Sequence, residues 1–255
     1  MSSGNAHLPQ EAFKSLESLR TEATPVVEVA SSFSKFVTSP PSGVDDRLWE
    51  GWNAFFDIVG KTPPEDQQRL VDFLVELRKT TAKDEEGRVV RHDDGELWKD
   101  LPALGWVARE LWNFDIHDPA ASSDERTAFD NQSAFLARLT ALAKLDDPRD
   151  PFDYSLYGLW ALRSAFEESQ AEDIGGSPAV VNASLWIQYG GEALKKLSGD
   201  QRAMEGNSGR AGNRFSEKPW KGFNDERWQV WQTGFEEAAS VVDSARTTAQ
   251  RMRAL

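Results

Sequence analysis

Apolar residues recur at spacings of three and four along almost the whole of this chain, and no segment alternates convincingly with period two. Such spacing lines side chains along one face of a helix, whereas a strand would throw them to both sides. The heaviest instance is Leu48, Trp49, Trp52, Phe55, Phe56 and Val59, closed by Gly60, a residue suited to ending a helix. Ten Trp and fourteen Phe against three Tyr supply similar stripes downstream. Aromatic side chains bury large areas, so their default use is a heavy core. The pattern predicts an all-α fold, a single-domain bundle of roughly nine helices around a Trp-rich core.

Helix starts are well marked. Phe13, Leu16 and Leu19 define one candidate, and Val26, Val29, Ala30, Phe33 and Val37 another after Pro25. Thr62, Pro63 and Glu65 read as a capping box ahead of Leu70, Phe73, Leu74 and Leu77. Asp100, Ser122 or Ser123, Asp153, Ser177 with Pro178, and Asn224 stand at the heads of five further apolar stripes. Residues 1–9 read as a disordered tail and 10–255 as one helical domain, with mobile loops near 80–95, 114–122 and 198–218. The last of these is rich in Gly, Ser, Asn and Arg. Short connections and the lack of an internal repeat favour one domain over several.

Composition removes several function classes. A net charge of −13 and a pI near 4.8 argue against nucleic acid and against anionic lipid surfaces. No apolar run approaches the roughly 18 residues of a membrane span, and the start has no signal-peptide pattern, so a cytoplasmic location is expected. Without cysteine there is no disulfide, thiolate zinc site or cysteine nucleophile. His7, His92 and His117 are too far apart for one helix face to grip a metal. Among them only His117, beside Asp115 and Asp118, is placed to act as a base, and a solvated turn explains that cluster better. No phosphate-binding loop, dinucleotide fingerprint or nucleophile elbow appears. Gly206 to Gly212 is glycine-rich without a preceding strand and reads as linker. No metal and no cofactor is expected.

What rises above this background is charge embedded in aromatic faces. Trp106, Glu110 and Asn113 share one side of a helix at spacings of four and three, with Arg109 beside them. Arg138 interrupts the apolar run from Phe135 to Ala141, Arg163 follows Trp160 by three, and Asp57 sits among Phe55, Phe56 and Ile58. Tyr189 and Glu192 follow Trp186 on one helix. A charge on an inner face is costly unless paired. These groups therefore either bridge helices, with Arg109, Arg138 or Arg163 meeting Glu110, Asp57 or Glu192, or they line a pocket. In the pocket reading Arg109, Glu110, Arg138 and Glu192 are the candidate catalytic groups. Trp106, Trp112, Asn113, Trp186 and Tyr189 are then the candidate substrate-binding residues.

Four ordered segments carry a resemblance. Leu101 to Trp106 with Arg109 to Asn113, Ala134 to Ala141, Trp186 to Gly191, and Arg227 to Trp231 with Phe235 resemble signatures of a fungal family known as a domain of unknown function, family 3632. The chain departs from that pattern at Ser133, where Asn is expected. The resemblance spans about Trp49 to Phe235. It implies an intracellular helical protein and carries no activity, cofactor or substrate with it.

Two functional expectations follow. One is a pocket that binds, and converts without a cofactor, a small hydrophobic molecule with a polar or anionic end, by acid–base chemistry such as cyclisation, isomerisation or dehydration. The other is a non-catalytic interaction module with a filled core, joining a protein partner or a second copy of itself.

Overall fold

The computed structural model describes residues 10–21, 24–40, 42–92, 95–147, 149–168 and 178–255. The expected tail at 1–9, the Gly175–Gly176 break and the Ser177 cap lie outside the described residues. Ten α-helices and one two-stranded ribbon are present among them, so the chain is an all-α, multi-helix protein with Trp-rich clusters. It divides into two compact units, residues 1–113 and 114–255.

The first unit holds α1 (Gln10–Glu17), α2 (Val26–Thr38), α3 (Val44–Gly60), α4 (Gln68–Lys79) and α5 (Leu104–Leu111). A short antiparallel ribbon, β1 (Arg91–His92) and β2 (Gly95–Glu96), lies inside the stretch expected to be a loop. Phe33 is the hub of its core, with ring centroids 5.0 Å from Trp52, 5.4 Å from Phe73 and 5.7 Å from Trp98. Both buried indoles satisfy their N–H: Trp52 donates to the Pro102 carbonyl at 2.9 Å and Trp98 to Ser34 Oγ at 2.8 Å. Gly51 leaves the space that Phe33 fills, since a Cβ there would lie 2.7 Å from the ring.

The expected capping box at Thr62 does not form. Thr62 is buried, and its hydroxyl donates to the Ile58 carbonyl one turn back at 2.7 Å. A 3-10 turn over Pro64–Asp66 then leads into α4. The hydroxyl is drawn into closing α3 rather than opening α4.

The second unit holds α6 (Ser123–Leu142), α7 (Ser155–Phe166), α8 (Pro178–Gly199), α9 (Asp225–Ala238) and α10 (Asp243–Ala254). Here the caps follow expectation more closely. Ser122 and Glu125 form a complete capping box on α6, and Asn224 Oδ1 accepts the Arg227 amide at 2.8 Å to cap α9. α8 is the central helix, packed against α6, α7, α9 and α10. Two glycines permit this. Gly158 gives its space to the Trp186 ring, and Gly190 brings α8 onto α6, where a Cβ would stand 3.0 Å from the Ala137 carbonyl oxygen. The sequence pattern lets the last stripe fade into a polar C-terminus; the structure continues it as α10, whose Ala245, Ala249 and Met252 are buried.

Candidate functional site

The groups singled out from sequence fall on both units. On α5 the buried side is Leu104, Val107 and Ala108, so Trp106, Arg109 and Glu110 occupy the opposite side and are exposed, Trp106 to 68%. Asn113 is exposed and Trp112 half-buried. The inner-face expectation for Arg109 and Glu110 is thereby corrected. Asp57 is likewise exposed and pairs with Lys61 at 2.6 Å, while Arg163 pairs with Glu168 at 3.5 Å. Arg163 and Asp57 are thus paired with Glu168 and Lys61 rather than with the cross-helix partners expected of them. His117 is exposed in a turn closed by Asp115, whose Oδ1 accepts the His117 amide, and its Nε2 lies 2.8 Å from Ser164 Oγ.

The second unit brings the remaining candidates together. Arg138 lies over the Tyr189 ring, its guanidinium carbon 4.1 Å from the centroid, a cation–π contact between α6 and α8. Trp186, one turn before Tyr189, is fully buried against Gly158 and so belongs to the core rather than to an accessible wall. Tyr189 and Glu192 border a cavity of about 790 Å³. Its floor is α8, where Gly190, Gly191 and Ala193 expose little side chain; Ala141 and Leu145 line the side formed by the end of α6 and the turn after it. Lys144, Lys196 and Arg251 contribute positive charge, and Asp146 and Glu192 negative charge. Arg251 reaches over from α10, its Nε donating to the Ile187 carbonyl at 3.1 Å, and Gly191 keeps the space beside it open. Sequence spacing could not reveal Arg251 or Lys144, because both join Tyr189 at the cavity only through tertiary packing.

The deepest ion pair in the unit was not singled out from sequence either. Arg227 and Glu167 are both fully buried, with Nε to Oε1 at 2.7 Å and a terminal nitrogen to Oε2 at 2.9 Å. The other guanidinium hydrogens go to the carbonyls of Gly209 (2.7 Å), Gly222 (3.0 Å) and Arg210 (3.0 Å). Glu167 also accepts from the Trp231 indole at 2.7 Å and the Gly212 amide at 2.9 Å. Every donor of one group and every strong acceptor position of the other is used, which is what makes burial of such a pair tolerable. A saturated pair has nothing left for a ligand, so its work is to hold the Gly-rich segment 206–212 against α7 and α9. The available signal was Arg227 directly before Trp228 in an aromatic stripe.

A smaller polar cluster lies between α6 and α8. Asn182 donates to Asp130 Oδ1 at 2.7 Å and to Ser133 Oγ at 2.9 Å. Burial pushes the Asp130 carboxyl up to about 6, against the opposing pull of the Asn182 hydrogen bond and the Arg126 charge. A carboxyl whose folded pKa is raised binds its proton more readily when folded, so stability declines as pH rises from about 4 to about 6. The expected decline is on the order of 2 kcal/mol. Urea midpoints of the native chain and of Asp130→Asn between pH 4 and pH 8 check it. The variant should lack this component and be the more stable of the two at pH 8; parallel pH profiles would remove Asp130 as the cause.

Among the described residues no group of three or more His, Asp or Glu could hold a metal ion, and no helix is long and apolar enough to cross a membrane. The match to known families falls across both units. Residues 52–235 match the family described as a protein of unknown function, DUF3632, and the chain belongs to that family. No curated protein and no solved structure matches it.

Proposed function

We propose that the cavity between α6, α8 and α10 binds a small organic molecule with an apolar body and an anionic end. The observation that carries this reading is the cavity itself. Its volume of about 790 Å³ falls within the several hundred cubic ångströms of small-molecule sites. Its floor is a glycine- and alanine-rich strip of one helix, with Tyr189 as an aromatic wall. Arg251 and Lys144 are the groups to receive an anionic end. Glu192 and Tyr189 remain from the sequence-derived candidates, with Arg138 beneath Tyr189 as its positioning residue. The reading is one of binding and assigns no catalytic step.

Anilinonaphthalene sulfonate, which combines aromatic rings with one anionic group, is a direct probe. Saturable one-to-one binding to the folded chain is expected. Ala141→Phe should abolish it without loss of helicity, because residue 141 is exposed at the cavity and a ring there fills the mouth. Arg251→Gln should weaken it about tenfold, the equivalent of about 1.4 kcal/mol. Undiminished binding in Ala141→Phe would place the probe elsewhere and reject the site.

A second reading, a protein–protein contact on the first unit, is supported by Trp106 at 68% exposure and Trp49 at 44%. Exposed tryptophans are enriched among residues that dominate interface energies. Sedimentation of the native chain and of Trp106→Ser at high concentration separates the cases: self-association lost in the variant favours a contact between copies, and identical profiles argue against it.

A further inference from the structure

The charges around the cavity are unequally occupied. Lys196 is paired with Asp200, and Arg251 uses only its Nε, on the Ile187 carbonyl. The side chains of Lys144, Asp146 and Glu192 and the terminal nitrogens of Arg251 meet no hydrogen-bond or ion-pair partner among the described residues. Two unanswered positive groups thus face one space with two unanswered negative ones.

The end of α6 adds to the negative side. Its last turn contains no basic residue, and the carbonyl of Ala141, a residue of the cavity wall, receives no hydrogen bond from the described residues. A helix C-terminus carries roughly half a negative charge and favours a cation. A purely anionic ligand would answer Lys144 and Arg251 while bringing its charge towards Asp146, Glu192 and this helix end. A purely cationic ligand would face the reverse conflict. Like charges brought together in a partly dehydrated space disfavour binding, and this is how a site rejects the wrong ligand.

Resting on the cavity reading above, we infer that the ligand is a zwitterion: a small molecule carrying one ammonium and one carboxylate on an apolar body. The carboxylate meets the guanidinium of Arg251, whose planar fork suits two parallel hydrogen bonds. The ammonium meets Glu192 and the open carbonyl of Ala141. The apolar body lies on Tyr189 and the Gly190–Gly191 strip.

Calorimetric titration of the full chain with two matched sets tests this. One set is phenylalanine, phenylpropanoate and phenylethylamine, in which the charges of the zwitterion are adjacent. The other is aminohexanoate, hexanoate and hexylamine, in which they are separated. In at least one set the zwitterion is expected to bind at least about tenfold tighter than both singly charged analogues. Glu192→Gln should remove its advantage over the carboxylate while leaving carboxylate affinity unchanged or improved. Ala141→Phe should abolish binding altogether. Equal affinity of carboxylate and zwitterion in both sets overturns the zwitterion and leaves the anion-binding cavity standing. No binding of either zwitterion overturns it as well. Binding that survives Ala141→Phe removes the cavity along with it.

Discussion

Arg227→Met is expected to lower the unfolding free energy of the chain by about 3–5 kcal/mol, the cost typical of breaking one side of a buried ion pair. The size follows from what is left behind. Glu167 stays fully buried with only the Trp231 indole and the Gly212 amide as donors, and the carbonyls of Gly209, Arg210 and Gly222 lose their partner. Arg227→Lys is expected to recover little, because one ammonium cannot reproduce a fork that reaches both carboxylate oxygens and three carbonyls. Adding Glu167→Leu to Arg227→Met should restore part of the loss by removing the stranded charge, but not the three carbonyl contacts. Urea denaturation monitored by tryptophan fluorescence and by circular dichroism gives all three values. A loss below about 0.5 kcal/mol, the range of ordinary surface substitutions, would show that the pair does not hold the unit together.

Gly222→Ala is the second large effect, expected at about 2–4 kcal/mol. A Cβ at this position would lie 2.1 Å from the Arg202 carbonyl oxygen and 2.9 Å from the Ala203 Cα, both backbone atoms that cannot swing aside. The two segments are already joined as an isolated bridge between Ala203 and Gly222, so relief requires the bridge to open. Opening it also moves the Gly222 carbonyl away from Arg227. Gly199→Ala, at the end of α8 with nothing within 4 Å of its added carbon, is the control and should stay within about 0.5 kcal/mol of the native chain. Equal effects of the two substitutions would mean that close backbone contact is not what requires glycine at residue 222.

The first of these predictions bears on a segment that composition alone treats as linker, since Arg227 holds the carbonyls of Gly209 and Arg210. The segment from Gly206 to Gly212 has no apolar periodicity, and its glycines look like conformational slack. Its role depends on Arg227, which lies on another element and packs between Trp220 and Trp231. The physical premise drawn from sequence, that a charge among tryptophans must be answered, applies to the buried Arg227 and Glu167 rather than to the exposed Arg109 and Glu110. On α5 the buried positions Leu104, Val107 and Ala108 already form a helical stripe without Trp106. The tryptophan marks the outer face of this helix, not the inner one. Trp49 is similar: it belongs by spacing to the α3 stripe, yet it is exposed while Trp52, Phe55 and Phe56 are buried.

The candidate cavity was legible only on one wall. Tyr189, Gly190, Gly191 and Glu192 are consecutive, so their appearance together needs nothing beyond the helix that carries them. Arg251 and Lys144 join them from α10 and from the turn after α6. Neither position has local chemistry that distinguishes it from any other surface cation.

What the sequence by itself determined is helical identity, the cap at Asn224 and, to within one residue, the cap at Ser122, because periodicity and capping act within a few residues of each other. Tertiary structure decided which aromatic faces turn inward, which charges are buried, and which helices enclose a cavity. Those outcomes depend on groups distant in sequence competing for the same space and the same hydrogen bonds, as Glu167 and Arg227 do across sixty residues.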